Sequence, residues 1–478
     1  MGCIKVGDML PPGMGGSTTA SGAACTIEIE HAPATNECAT GGVFPHIAVE
    51  FRPNQNYLGK FGFDWVRVAD SGLTPTEADV LYTDNMGYYN EPDGTKNKTT
   101  RNDSFYKSTF IVDSSKSTLL SDSFKRLDNW GALTKMQTNM QSDFPDYKYR
   151  MPVITLMPKN AIKNPHNVGL TGVLDIIVKK GSISASSLKL KVRSSYDEEI
   201  LKEAFTFSRN NLPLSSSKDV LKICSKGILT QDVTVYVYTE KCHMPCGAFK
   251  LLANNNVRNI NMVLMGVETK LNLGSLRLTG IPNIDDITRV RTLLAQALIS
   301  VDKVIDKKFD GTPLELDMTA LLNAASHGMT APGSTLAVFD WAKMREIFKL
   351  LEQEYRSNIA TIRDPSSNEL LVSGDAFRFY FLPDKCRSAS IGGIAGGGSI
   401  GVPRTAYFKT WEPKTTAETI VHEIGHNMGL THTFNYDTAH ANSYTYKYKS
   451  TDNIMDYSAI QKKVFYYWQW KIMNPGIN

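Results

Sequence analysis

Cysteine is scarce in this chain of 478 residues: Cys3, Cys25, Cys38, Cys224, Cys242, Cys246 and Cys386 are all there is. So thin and odd-numbered a set excludes a disulfide-stapled scaffold and leaves at least one thiol unpaired within a monomer. The redox compartment therefore stays open. An excess of charge of one sign is also missing. Lys and Arg number 52 against 48 Asp and Glu, a net +4. That is too little to build a face for nucleic acid or to draw an acidic surface. No apolar run is long enough to span a bilayer. The opening MGCIKVGDMLPPGMGG lacks the continuous apolar core of a secretory signal. Val6 stands where an acylation motif needs Ser or Thr, and no lipobox precedes Cys3. The glycines of IGGIAGGGSIGV (391–402) are not followed by Gly-Lys-Ser/Thr, which excludes a phosphate cradle. What remains is an ordinary globular composition, 42% hydrophobic and 21% charged, with length enough for two to four domains.

Against that plain background one stretch stands out, TTAETIVHEIGHNMGLTH at 415–432. Thr415-x-x-Glu418 reads as a capping box, and Ile420, Val421, Ile424 and Met428 form an apolar stripe for the core. His422 and His426 are four apart, so on a helix both rings lie on one face, one turn above the other. Two imidazoles so placed can reach one Zn²⁺ at about 2.0–2.1 Å. Glu423 lies beside the first ligand, where its carboxylate can take a proton from metal-bound water. Gly429 lets the chain stop and turn, since glycine accepts positive φ. The turn brings His432 round as third ligand and leaves a fourth position open. Asn453-Ile454-Met455-Asp456-Tyr457 follows downstream.

HEIGHNMGLTH followed by NIMDY resembles the metzincin zinc endopeptidases. The resemblance implies a two-lobed catalytic domain whose upper lobe ends with the zinc helix. It implies that Met455 lies beneath the metal without ligating it. Tyr457 stands where the astacin-like and serralysin-like branches carry a tyrosine close to the zinc, which makes it a candidate for oxyanion stabilisation. The glycine-rich 391–402 is similar to the family's edge strand, which pairs with an extended substrate backbone. A second resemblance covers about residues 45–250. FRPNQNYLGKFGFDWVR and YRMPVITLMPKN look like the N-terminal half of bacterial proteins associated with type VI secretion. It implies an effector made in the cytoplasm and injected or secreted without a classical signal peptide, with a secretion-system component as partner.

Taken in order, residues 1–42 read as a flexible leader and 43–144 as a mixed, β-rich region with strand-like 47–51 and rings at Phe61, Phe63 and Trp65. Helical hints lie at 119–135. Residues 145–245 read as a β-sandwich, with the immunoglobulin-like form as one candidate, from strand patterns at 151–157, 170–178, 188–192 and 233–238. The catalytic domain, α+β in class, is placed at 246–478. It opens with an alternating strand at 257–269, then helices at 285–299 and 339–355, a strand at 376–382 and an amphipathic closing helix over 459–473. Asn97-Lys98-Thr99 fits a glycosylation triplet without a secretory context to make it relevant. His440 lies off the zinc motif and reads as a surface residue.

At the boundary, Cys242, His243 and Cys246 could bind a metal, although they supply only three ligands in unusual spacing, and Cys246 could instead cap the catalytic zinc; a buried thiol or a local disulfide is the simpler reading. The expected function is a zinc endopeptidase acting on protein or peptide, with one catalytic Zn²⁺ on His422, His426 and His432 and with Glu423 and Tyr457 as the catalytic groups. The rivals are a non-catalytic cargo or adaptor of a secretion apparatus and a housekeeping peptidase. Neither nucleic acid nor a membrane span is expected.

Overall fold

A computed structural model describes residues 30–31, 45–54, 56–64, 88–90, 97–99, 130–145, 147, 149, 151–159, 164–181, 187–192, 195–212, 219–239, 244–270, 278–282, 284, 286–322, 328–330, 337–339, 343–373, 376–383, 394–396, 399–403, 416–433, 451–457 and 461–477. Cys3, Cys25, Cys38, Trp65, Cys242, His243, Cys386, Thr415 and His440 lie outside them.

The N-terminal half is β-rich. One sheet runs in the order Glu30–His31, Leu188–Val192, Val233–Thr239, Pro245–Leu251, Val153–Thr155, Gly62–Asp64, with Asn211–Leu212 also on Leu188–Val192. A second runs Ile47–Pro53, Thr171–Lys180, Asp219–Ser225, Phe205–Phe207. Alternation drives them: along Thr171–Lys180 the residues Leu174, Ile176 and Val178 point inward, and Val173, Asp175 and Ile177 between them stay partly exposed. The sheets face each other. Phe51 meets Phe249 edge-on at 4.9 Å, and a Cβ on Gly247 would lie 2.3 Å from the Val49 carbonyl. Helix Trp130–Asp143 packs on both Ile47–Pro53 and Pro245–Leu251 through Leu133, Met136 and Met140. Two strand pairs, Pro245–Leu251 with Val153–Thr155 and Glu30–His31 with Leu188–Val192, are parallel. The immunoglobulin arrangement considered from sequence is antiparallel throughout.

The chain passes to a third sheet after Leu251. Its order is Leu278–Thr279, Arg258–Thr269, Ala376–Leu382, Ser399–Pro403, Ile394–Gly396, with Ile299–Ile305 and Glu315–Asp317 also on Arg258–Thr269. Period-2 patterning sorts its side chains between two cores. Val263, Met265, Val267, Tyr380 and Leu382 face helix Met344–Asn358 through Ile347, Leu351 and Tyr355. Met262, Leu264, Phe377, Phe379 and Phe381 face the other way, into the core that takes in Ile420, Val421 and Ile424 of the motif helix. That second core is continuous with the N-terminal half.

Several elements differ from the sequence expectation. The helix expected over 285–299 ends at Leu294, continues as a 3-10 turn, Ala295–Ala297, and stops where Leu298 takes φ +52°. Its first turn is capped by Asp286, whose side chain accepts from Arg289 N–H at 2.9 Å. The closing helix is only Tyr467–Met473. Tyr467, Trp468, Gln469, Trp470 and Met473 are all buried, so it is a core element and not an amphipathic one. Residues 245–251, which straddle the expected start of the catalytic domain at 246, form a fully buried strand of the first sheet.

Candidate metal centre

The motif helix spans Ala417–Asn427. Thr416, not Thr415, is its N-cap: the Thr416 hydroxyl accepts from Thr419 N–H at 3.2 Å. Glu418 is turned to another use and bonds Arg289 Nε at 3.1 Å, joining this helix to Ile287–Leu294. The last turn closes through Met428, and Gly429 takes φ +97°, a region where any Cβ is strained. That reversal sends the chain back along the helix, where Thr433 N–H reaches the Met455 carbonyl at 3.2 Å.

His422, His426 and His432 come together. Each offers a ring nitrogen, and these atoms all lie within 4.8 Å of one another. The Nε2 atoms of His422 and His432 are each 3.1 Å from Nε2 of His426. Ligands at 2.0–2.1 Å on a tetrahedral ion stand about 3.3 Å apart, so this spacing fits zinc. Tautomers fit too. His422 Nδ1 sits 2.8 Å from the Ile454 carbonyl and His426 Nδ1 sits 2.8 Å from the Leu430 carbonyl. A carbonyl only accepts, so each Nδ1 carries the proton and each Nε2 turns a lone pair inward. Lone pairs aimed at one another 3.1 Å apart call for a cation between them. Burial, the largest cause in each case, pushes all three imidazoles below their usual pKa, His432 to about 3. They are neutral, as ligands must be.

Glu423 is 6% exposed, and desolvation raises its carboxyl to about 8, opposed by the field of Lys462. Met455 is fully buried beneath the helix; a Cβ on Gly425 would come within 2.7 Å of its Sδ. Tyr457 is 45% exposed, stacked on His422 at 5.6 Å between ring centroids and 4.6 Å from the His432 ring. Cys246 is elsewhere. It is fully buried in the first sheet with Sγ donating to the Val237 carbonyl at 3.5 Å, and burial pushes its thiol up. Cys246 is thus a buried free thiol, and the groups that gather at the candidate metal centre are the three histidines.

Sequence reasoning missed Lys462 and the polar residues behind the Met-turn. Asn453 Nδ2 donates to Gln469 Oε1 at 2.7 Å, and Asn453 Oδ1 accepts from Met455 N–H at 2.8 Å. The one available signal was an uncharged, fully buried pair of amides, which becomes visible only once burial is known.

No curated protein and no solved structure matches the chain. Residues 284–468 match the model of the family described as Metallo-peptidase family M12, Reprolysin_5. The matched span contains all three histidines, Glu423, Met455 and Tyr457. Together with the neutral, converging imidazoles, that match makes this chain a zinc metalloendopeptidase that uses one catalytic zinc ion.

Proposed function

We propose that His422, His426 and His432 hold the zinc and that Glu423 moves the proton in peptide-bond hydrolysis. The observation that carries this reading is the convergence of three imidazole Nε2 atoms beside a buried carboxyl. Bound zinc supplies a Lewis acid that polarises the scissile carbonyl and acidifies water. In the metal-free protein burial raises the Glu423 carboxyl; a bound cation would oppose that shift and draw the group back toward working pH, where it suits both halves of the proton transfer. A group whose pKa lies near the working pH can accept a proton from the attacking water and return it to the leaving amine. The exposure of Tyr457 and its stacking on His422 support a role for its hydroxyl as donor to the developing oxyanion.

Substrate is an extended polypeptide in this reading. Ile394–Gly396 is the last strand in the order of the third sheet and pairs antiparallel with Ser399–Pro403. An edge with no further partner strand among the described residues offers main-chain donors and acceptors to a substrate strand, and glycine lets the two backbones approach closely. Injection or secretion through a dedicated apparatus, with one of its components bound by the N-terminal half, is proposed on the resemblance at 45–250 alone. Retention of the enzyme by cells lacking such an apparatus, against release by cells that have it, tests that part.

Digestion of an unbiased peptide library with wild type and Glu423→Gln, read as new termini by mass spectrometry, tests the catalytic reading. New internal termini made by wild type only are expected. Identical termini from both proteins overturn the assignment of Glu423, and none from zinc-loaded wild type overturns the endopeptidase reading.

A further inference from the structure

Behind the Met-turn the hydrogen bonds lead away from the zinc cluster to a single buried amide. Gln296, in the 3-10 turn Ala295–Ala297, is fully buried. Its Oε1 accepts from Phe465 N–H at 3.1 Å, and its Nε2 donates to the Lys463 carbonyl at 3.0 Å. Its own backbone carbonyl accepts the Thr155 hydroxyl at 2.6 Å. Residues 463–465, gripped in this way, form a parallel bridge with the Met-turn segment, Val464 opposite Asn453. Lys463 N–H donates to the Asp452 carbonyl at 2.9 Å, and Ile454 N–H donates to the Val464 carbonyl at 2.8 Å. The other face of that same residue, the Ile454 carbonyl, holds His422 Nδ1.

The clamp is closed from the N-terminal half. A Cβ on Gly59, which has φ +72°, would lie 1.9 Å from the Lys463 carbonyl oxygen and 2.8 Å from Gln296 Nε2. One on Gly62 would lie 1.9 Å from Thr155 Oγ1 and 2.7 Å from the Gln296 carbonyl oxygen. The turn carrying these glycines is pressed onto the amide, leaving no side-chain room between them. An amide that offers one acceptor and one donor to two positions on the same short segment fixes that segment's register, and a slip there would move the Ile454 carbonyl.

We propose that Gln296 is a positioning residue for the metal ligand His422, acting through residues 463–465 and Ile454, and that Thr155 holds Gln296 in place from the N-terminal half. This rests on the zinc reading above. The physical ground is that the hydrogen bond behind a metal-binding imidazole sets its tautomer and aim, and losing such support typically costs about 10–100-fold in metal affinity. The N-terminal half is thereby part of the metal centre.

The test uses the full chain and zinc alone. Zinc dissociation constants are measured by chelator competition for wild type, Gln296→Leu, Thr155→Val and Thr155→Ser, each corrected for the folded fraction of metal-free protein. Absorption spectra of the cobalt-substituted forms are taken alongside. Leu221→Ala, a core truncation in the second sheet, reports what lost stability alone does. Gln296→Leu is expected to bind zinc about tenfold more weakly or worse and to shift the cobalt bands. Thr155→Val should lose severalfold, and Thr155→Ser, which keeps the hydroxyl, should match wild type. Folded variants that keep wild-type affinity and spectra, behaving as Leu221→Ala does, overturn the proposal. Should Gln296→Leu fail to fold, equal zinc affinity in Thr155→Val and Thr155→Ser overturns it just as well. Wild type that takes up no zinc removes the zinc reading and this inference together, whereas wild type that binds and variants that match it remove this inference alone.

Discussion

Replacing Glu423 by glutamine keeps the shape of the side chain and removes its acidity, so it separates two consequences of burial. The first is catalytic: losing a general base typically costs about 10²–10⁴ in rate. The second is a stability effect in the zinc-free protein. Desolvation raises the folded-state carboxyl from 4.5 to about 8. A raised pKa means the folded state keeps a proton that the unfolded chain has released. The associated stability is whole below 4.5 and is lost as pH climbs through about 8. With each pK unit equal to about 1.4 kcal/mol, the ceiling on that loss is about 5 kcal/mol, and roughly half of it is a reasonable expectation. Glutamine carries no such penalty. Urea unfolding of metal-free wild type and Glu423→Gln at pH 5 and pH 9 reads the difference directly. The three histidines titrate alike in both proteins and cancel. The variant should gain about 2–3 kcal/mol on wild type between the two pH values. A constant difference across that range would refute the claim that this carboxyl is desolvated, and undiminished peptidase activity would refute its role as base.

Four further outcomes follow from the same geometry. Gly429→Ala places a Cβ at φ +97° and should destabilise the fold by about 1–2 kcal/mol in thermal unfolding while weakening zinc retention, because the reversal delivers His432. Tyr457→Phe removes an oxygen from a part-exposed ring and should lower kcat by up to about 10²–10³ with little change in KM; unchanged kcat means the hydroxyl serves no oxyanion. Cys246→Ala removes a fully buried thiol from the first sheet and should lower the unfolding midpoint without raising turnover, and any activation would mean that the thiol restrains the metal after all. Metal-free protein should also lose stability as pH falls below about 6.5, since all three imidazoles are held below their usual pKa and only the unfolded chain takes up protons there.

The elements legible in advance are those whose cause is local. Ala376–Leu382 and Leu188–Val192 alternate, and alternation is a property of neighbouring residues. The motif helix could be read because its cap, its stripe and its two four-apart histidines all fall within a few turns, and the reversal after it because glycine is the residue that tolerates φ near +97°. Terminal detail was less secure: Thr416 and Thr415 are chemically equivalent caps, and only the backbone path chooses between them.

What the sequence by itself determined was the chemistry within reach of one helix and one turn: a histidine pair on a common face, an acid beside it, and a third histidine a short reversal away. Tertiary structure decided everything that depends on residues far apart along the chain. The carbonyl that orients His422 is 32 residues downstream, and the amide that grips the segment bridged to it makes its contacts across 167 and 169 residues. It also decided that 245–251 is core and that the N-terminal half shares one hydrophobic interior with the motif helix. Burial and hydrogen-bond partnership arise from many segments packing at once. A neutral imidazole, a desolvated glutamate and a clamped Met-turn therefore exist only after the chain has folded.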